Sequence, residues 1–375
     1  MTWPRWIGLA CGVGVLVTMA VSVLRMLLVP RASRSVLARS VLSAVRWAFW
    51  RGARLSEAYS AKDRLLAAGE PVGLLVLLGT WVGMTLVGYA LILLPLEPRG
   101  SGVGAALREA GSSMFTLGFV TPHHSGPLAV DFLAAATGLV IVALQIGYLP
   151  TLYGAFNRRE VLVTMLASRA GLPAWGPELL ARHQMVGIMD DLHNLYHDWE
   201  QWAADVAESH TTYPSLLWFR SPRPRFSWLI GLLAVLDSAA LYLALSPAAA
   251  PSQARLCLRM GFTALREIAG VEGIAYDHDP DPDGPIALSF EDYLVGVARL
   301  AAAGFPMERS PEEAWPHFRG WRNNYESIAY VLADRLMAPP ALWSGQRLRL
   351  PVPEMPPVRP RDRKPTESSH PAATS

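Results

Sequence analysis

Two long hydrophobic segments without a charged residue constrain this chain more than any other feature. They cover residues 72–94 and 132–156, and each exceeds the roughly 20 apolar residues that cross the hydrocarbon core of a bilayer. A third apolar segment covers residues 7–29, with Arg25 near its end. Its cationic flank follows the apolar run, which favours a retained anchor over a cleaved signal peptide. The sequence therefore predicts a multi-pass membrane protein with three transmembrane helices.

The connection between the two uncharged segments, residues 95–131, contains the string S-S-M-F-T-L-G-F-V-T from Ser112 to Thr121. It is long enough for a half-length helix that enters the bilayer and for an extended return. Non-helical backbone is tolerated at membrane depth where it lines a water-filled path. The predicted order is helix, re-entrant helix, extended filter and helix.

This unit, residues 71–156, resembles the pore unit of the potassium-channel pore-loop superfamily in its bacterial two-transmembrane form. The family's filter reads T-V-G-Y-G, and its pore helix carries a hydroxyl residue three positions before the filter threonine. The residues that match this pattern in order are Ser113, Thr116, Leu117, Gly118 and Phe119. The resemblance implies that the backbone carbonyls of residues 116–119 replace the hydration shell of a passing cation, with K⁺ as the expected ion.

Val120 departs from the family pattern. It stands where the family has its second filter glycine, a position that needs a left-handed backbone, which β-branched residues disfavour. Thr121 replaces the acidic residue that is common after the filter. The sequence leaves open whether sodium passes as well as potassium. The alternative is a non-conducting, membrane-anchored sensor or scaffold protein in which Gly118 only permits a tight turn.

Stoichiometry and orientation follow from the same segment. One filter loop cannot encircle an ion, and the chain contains one, so the resemblance implies a homotetramer. Basic residues cluster between the first and second apolar segments, whereas the filter connection holds only Arg99 and Arg108 as cations. The positive-inside rule then places the basic segment in the cytoplasm and the filter loop outside the cell membrane.

The last uncharged segment carries candidate gate residues. Gly138 and Gly147 soften a helix, and Pro150 removes a backbone donor and favours a kink. Gln145 is a candidate for lining an inner cavity. Ordinary helix packing is the alternative, because glycine and proline are frequent in membrane helices.

The basic linker, residues 31–70, begins with an amphipathic pattern over residues 31–54. Its apolar residues recur at near-helical spacing, and Trp47 and Trp50 are typical of interface anchors. The pattern predicts a helix in the headgroup plane of anionic lipid, with a solvated connector as the alternative.

Residues 157–344 are long enough for a core of their own and predict an all-helical cytoplasmic domain that regulates opening. Residues 184–208 place apolar side chains at spacings of three and four, which indicates one amphipathic helix. Residues 228–245 approach the length of a span but carry Asp237 at their centre. A carboxylate there costs about 2.5–3.5 kcal/mol on insertion scales. We expect a buried helix, with a fourth span as the alternative.

Two polar groups are weak metal candidates. His193 and His197 stand four residues apart, a separation that lets two imidazoles share a metal, beside Asp190 and Glu200. The second group consists of Asp279, Asp281 and Asp283. The spacing of these carboxylates resembles the first half of an EF-hand calcium loop. Solvated surfaces explain both more simply, so we expect no metal and no cofactor.

The predicted fold is an all-α membrane protein with three transmembrane helices, a re-entrant pore helix and a helical cytoplasmic domain. Its parts are an anchor (1–30), a basic linker (31–70), a pore unit (71–156), the helical domain (157–344) and a disordered Pro-rich tail (345–375). No catalytic motif is recognisable, and a net charge of +2 is too small to indicate a nucleic-acid partner. The favoured function is passive cation conduction, with an unknown cytoplasmic ligand and no enzymatic activity.

Overall fold

The computed structural model describes residues 3–27, 35–96, 102–120 and 125–345, and these residues form helices and loops without a strand. The chain divides into two compact units. The first unit consists of Met1–Phe156 and Thr212–Phe219, and the second of Asn157–Thr211 and Arg220–Ser375. Thr121, Arg99 and the tail from residue 346 lie outside the described residues.

Four of the described helices are long and apolar enough to cross a membrane, which is compatible with a membrane-embedded protein. The helices that belong to the first unit, in chain order, are α1 (Trp3–Leu27), α2 (Val36–Ala53), α3 (Tyr59–Leu93), α4 (Val103–Met114) and α5 (Ser125–Ala170). The predicted linker boundary after residue 70 falls inside α3, which continues through Pro71. α5 is one helix of 46 residues whose last turns, from Asn157, belong to the second unit.

α1 packs closely against α3 through glycines. A Cβ on Gly12 would lie 2.7 Å from the carbonyl oxygen of Gly88, so the two backbones touch. Small residues permit such contact between apolar helices, where packing rather than water drives association. Between two and three turns away, the indole N–H of Trp81 donates to the hydroxyl of Ser22 over 3.1 Å. The first predicted span is therefore fixed to the second by packing and by a buried hydrogen bond.

α2 packs on the first half of α3, and its position in the headgroup plane stays a prediction. A Cβ on Gly73 would lie 3.1 Å from Leu42, and one on Gly69 would lie 3.3 Å from the ring of Phe49. Leu42 and Phe49, on the apolar face of α2, are thus in contact with α3. Trp47, one of the predicted interface anchors, stays 62% exposed on the other side of α2.

The second unit surrounds one apolar helix. Its helices are α6 (Gly176–Val186), α7 (Leu192–Thr212), α8 (Trp228–Leu245), α9 (Ser252–Glu272), α10 (Phe290–Ala302), α11 (Pro311–Arg322) and α12 (Glu326–Arg335). Every residue of α8 except Leu243 is buried, and α6, α9, α11 and α12 pack around it. A helix that is apolar on all sides requires such a position. Asp237 accepts hydrogen bonds from Arg322 and from the hydroxyl of Tyr325, so its carboxylate is paired within the unit.

The predicted single helix over residues 184–208 is wrong. α6 ends at Val186, because Gly187 adopts a left-handed conformation with φ of 75° and closes the helix. A short 3₁₀ turn, Met189–Asp191, precedes α7. The apolar spacing runs across two helices, and Ile188 between them is 42% exposed rather than part of the buried face.

Candidate functional site

α4 is a short helix that ends beside α5. Its 12 residues correspond to about 18 Å at 1.5 Å per residue, against a hydrocarbon core of about 30 Å. A Cβ on Gly138 would lie 2.3 Å from the carbonyl oxygen of Met114, the last helical residue of α4. Gly138 belongs to the uncharged stretch of α5, so the C-terminal end of α4 reaches the level of an apolar span.

The chain turns back after α4. The N–H of Thr116 donates to the carbonyl of Ser113 over 3.0 Å, and the N–H of Leu117 donates to the carbonyl of Ser112 over 2.8 Å. Residues 117–120 then run without helical structure. The N–H of Val120 donates to the hydroxyl of Ser112 over 3.1 Å. This bond holds residues 117–120 beside the last turn of α4.

The backbone of this loop alternates in the sign of φ. Thr116 has φ of 53° and Gly118 has φ of 70°. Left-handed backbone is unusual for a β-branched residue such as Thr116 and costs of order 1–3 kcal/mol. Val120 does not have positive φ, so the strain expected at its β-branched side chain is absent from this chain. The left-handed positions are Thr116 and Gly118 instead, both inside the string that matches the filter pattern.

Three apolar side chains of the loop face outward. Phe115 is 49% exposed, Leu117 is 61% exposed and Phe119 is 63% exposed. They alternate along the chain with the two left-handed residues. Exposed aromatic and aliphatic side chains this close together mark a surface that lipid or protein covers.

Comparison with protein-family models, curated proteins and solved structures finds no match. The resemblance to pore-loop channels therefore rests on the sequence of the loop.

Two buried acidic residues, which the sequence did not point to, lie near the loop. Glu109 in α4 is 4% exposed and Asp131 in α5 is 7% exposed. They flank an apolar cluster in which Ala106 and Ala110 of α4 meet Ala134 of α5.

α3 and α5 are joined at the same level. The hydroxyl of Tyr89 lies 3.1 Å from the carbonyl oxygen of Leu133, to which it donates, and 2.6 Å from the hydroxyl of Thr137. Met114, the last residue of α4, lies beside Gly138 of α5. The contact of Tyr89 therefore joins α3 to α5 near the C-terminal end of α4.

The predicted gate residues differ in their surroundings. Gly138 is a packing position against α4 rather than an open hinge, whereas no described atom lies within 4 Å of a Cβ built on Gly147. Pro150 lies inside α5, which is assigned as continuous helix on both sides of it. The amide nitrogen of Gln145 is buried without a hydrogen-bond partner among the described residues.

The weak metal candidates do not come together. Within the described ranges no group of three or more His, Cys, Asp or Glu side chains has the geometry to hold a metal ion. His193 and His197 are exposed on α7. In the acidic loop, Asp283 pairs with Arg319 of α11 at 2.8 Å and the carboxylate of Asp281 accepts from the N–H of Asp283. The backbone N–H of Asp279 donates to the carboxylate of Asp277.

A buried basic cluster lies where α5 enters the second unit. Arg159 is fully buried, pairs with Glu160 at 2.8 Å and places a guanidinium nitrogen 3.1 Å from Nε2 of His210. Burial, and then the positive charge of Arg159, lower the pKa of His210 well below its ordinary value of 6.5. The imidazole is therefore neutral, and its Nε2 accepts a hydrogen bond from Arg159.

Proposed function

We propose that the protein is a cation channel of the pore-loop type that conducts K⁺ passively through a homotetrameric pore. Residues 116–120 form the ion filter, with Ser113 and the rest of α4 as the pore helix. The filter loop faces outward across the cell membrane, and the helical domain lies in the cytoplasm, where it controls opening. The chain acts without enzymatic chemistry in this proposal.

The observation that carries this proposal is the position of α4. The short helix ends against Gly138, within the uncharged part of α5, and residues 117–120 return beside it. Backbone without helical hydrogen bonds is stable at that depth only if it lines a water-filled path or is buried in protein. The alternating sign of φ at Thr116 and Gly118 supports carbonyls turned to one side, the arrangement that replaces a cation's water shell.

The exposed apolar surface supports several copies around one axis. Leu117 and Phe119 are more than half exposed in the single chain. On α5, Phe132, Leu139 and Ile146 recur every seven residues, and each is 68% exposed. Such a stripe packs against a neighbouring helix of similar pattern. Four loops are needed to surround an ion, so the site is complete only in the tetramer.

Flux through purified protein in liposomes tests the proposal. Wild type is expected to release K⁺ down its gradient. Gly118→Ala forces an L side chain into left-handed backbone, at a cost of about 1–2 kcal/mol per chain, and should lower the flux at least about tenfold. Gly126→Ala is the matched control, because no described atom lies within 4 Å of its added Cβ and its φ is not positive. Equal fluxes for the two variants would contradict a filter at Gly118.

Selectivity is tested at Val120. Val120→Gly restores the second glycine of the pattern, and we expect it to raise the permeability of K⁺ relative to Na⁺. Unchanged relative permeability would place residue 120 outside the filter.

Stoichiometry separates the channel from a membrane-anchored scaffold. The channel requires four chains per particle in mild detergent. A monomer or dimer that releases no cation at any voltage, pH or calcium level tested would support the scaffold instead.

A further inference from the structure

The 212–219 segment lies in the first unit, although the residues on both sides of it belong to the second unit. It contains the end of α7 and the 3₁₀ turn Pro214–Trp218. Leu216 is fully buried and Phe219 is 5% exposed. Both belong to an apolar cluster that contains residues of α2, α3 and α5, so the segment is part of the core of the first unit.

Aromatic contacts hold the segment to α5. The rings of Tyr213 and Tyr148 meet edge to face with centroids 5.9 Å apart. Phe219 lies 5.7 Å from Tyr153 and 5.6 Å from Phe156, again between ring centroids. The Tyr148–Tyr213 and Tyr153–Phe219 pairs are edge to face, and such pairs at these distances are attractive beyond the area that they bury. All three partners lie in the part of α5 that follows Gly147, at the far end from the filter loop.

A cation–π contact holds the same segment to α2. The guanidinium of Arg46 lies 4.5 Å from the ring centroid of Trp218. Glu70 of α3 fixes that guanidinium, because its two carboxylate oxygens accept from Nε and Nη2 of Arg46 over 2.8 Å and 2.7 Å. The bidentate pair presents a planar cation to the indole face. One short segment thus contacts α5 on one side and the α2–α3 pair on the other.

The chain on either side of the segment is anchored in the second unit. Arg220, the next residue, donates to the carbonyls of Leu336 and Met337 over 2.6 Å and 3.0 Å, at the C-terminal end of α12. On the other side, His210 in the last turn of α7 lies against Arg159. The nine residues between these two anchors, 211–219, include those that make the core contacts of the first unit, so movement of either anchor acts directly on those contacts.

We infer that residues 212–219 form a coupling segment that transmits movements of α7 and α12 to residues 148–156 of α5 and to α2. It acts beside the direct route along α5 itself. The statement that this coupling controls opening rests on the proposed channel function. The coupling itself does not depend on that function.

Hydrogen exchange of the full-length protein in lipid nanodiscs tests the coupling without a flux measurement. Arg220→Gln removes the charged donor to the end of α12. It should speed amide exchange in residues 148–156 and 212–219 by about tenfold, because local opening becomes easier. Arg335→Gln is the matched control, since Arg335 lies on α12 and donates to the carbonyl of Glu272 on the exposed surface. Faster exchange confined to residues near 336–338 would overturn the inference.

A second pair of variants tests the contact with α2. Trp218→Ala should speed amide exchange in residues 42–53 of α2. Trp47→Ala, which truncates an exposed indole on α2 itself, should not. If Trp218→Ala does not fold, Arg46→Lys removes the bidentate pair and weakens the stacking with the tryptophan retained. The inference would be contradicted if Trp47→Ala changed amide exchange in residues 42–53 as much as Trp218→Ala or Arg46→Lys does. If the variants change amide exchange as expected but the wild type conducts no cation, the channel proposal fails and the coupling stands. If the wild type conducts cations but the variants do not change amide exchange, the coupling fails and the channel proposal stands.

Discussion

The hydroxyl of Ser112 accepts a hydrogen bond of 3.1 Å from the backbone N–H of Val120, which ties the last turn of α4 to the end of the proposed filter. This bond spans eight residues and closes the loop on itself. The family pattern instead directs attention to Ser113, whose carbonyl, rather than its hydroxyl, contacts the turn.

We expect Ser112→Ala to loosen the loop at Val120. Loss of one hydrogen bond costs about 0.5–1.5 kcal/mol, so cation flux should fall and the ratio of K⁺ to Na⁺ permeability should decrease. Ser113→Ala keeps the Ser112 bond and should have the smaller effect. Flux and relative permeability in liposomes measure both, and a larger effect of Ser113→Ala would favour the family pattern over this geometry.

Gly138 and Gly147 allow a direct comparison of packing with hinge motion. A methyl group at Gly138 would lie 2.3 Å from the carbonyl oxygen of Met114, and relief of such overpacking typically costs about 1–3 kcal/mol. We expect Gly138→Ala to lower the midpoint of thermal unfolding and to abolish flux by displacing α4. Gly147→Ala should leave the midpoint unchanged. Similar thermal destabilisation by both would show that α5 needs flexibility at each position.

The pair between Arg322 and Asp237 holds the core of the second unit. Arg322 also donates to Glu326 over 2.8 Å and to the carbonyl of Trp343 over 2.6 Å. Arg322→Met leaves a buried carboxylate without its cation, which costs about 3–5 kcal/mol. Arg319→Met on the same helix breaks a pair with Asp283, whose side chain is 82% exposed, and should cost about 0–1 kcal/mol. Thermal unfolding in detergent compares the two variants; equal shifts would mean that the buried pair adds no more than the exposed one.

The stability of the protein should fall in mild acid through His210. Burial and the charge of Arg159 lower its pKa below 6.5 in the folded chain, so the unfolded chain binds the proton first. The free energy of unfolding therefore decreases as pH falls through about 6.5 and continues to decrease down to the folded pKa. The groups that face the ring are Arg159, Ser209 and Trp228.

A comparison of His210→Gln with His317→Gln measures this dependence. Between pH 7.5 and 5.5 wild type should lose about 1–1.5 kcal/mol more stability than His210→Gln. His317 is exposed on α11, so His317→Gln should follow wild type. Parallel curves for wild type and His210→Gln would remove His210 as the cause.

Much of the first unit could be predicted from local sequence. An apolar segment of spanning length is recognisable by itself, because bilayer thickness fixes its length and excludes charge. The all-helical class and a short helix before Gly118 follow from the same local patterns, and the structure has both. Gly118 has positive φ, as a glycine at a sharp backbone turn permits.

Long-range contacts could not be predicted in the same way. The pattern of α2 identified its apolar face, but a pattern does not say whether lipid or a neighbouring helix covers that face. Gly69 and Gly73 of α3 admit Phe49 and Leu42, a contact that the pattern of α2 alone does not show. The spacing over residues 184–208 likewise continued through Gly187, where the left-handed backbone starts a new helix.

The sequence alone determined which segments avoid water and where the backbone can turn sharply, since both properties belong to a few consecutive residues. Only the tertiary structure decided that α4 ends against Gly138, that Arg322 neutralises Asp237 from 85 positions away, and that residues 212–219 lie in the core of the first unit. Such contacts depend on which surfaces the whole chain brings together, because the energy of each buried group comes from the partner that covers it.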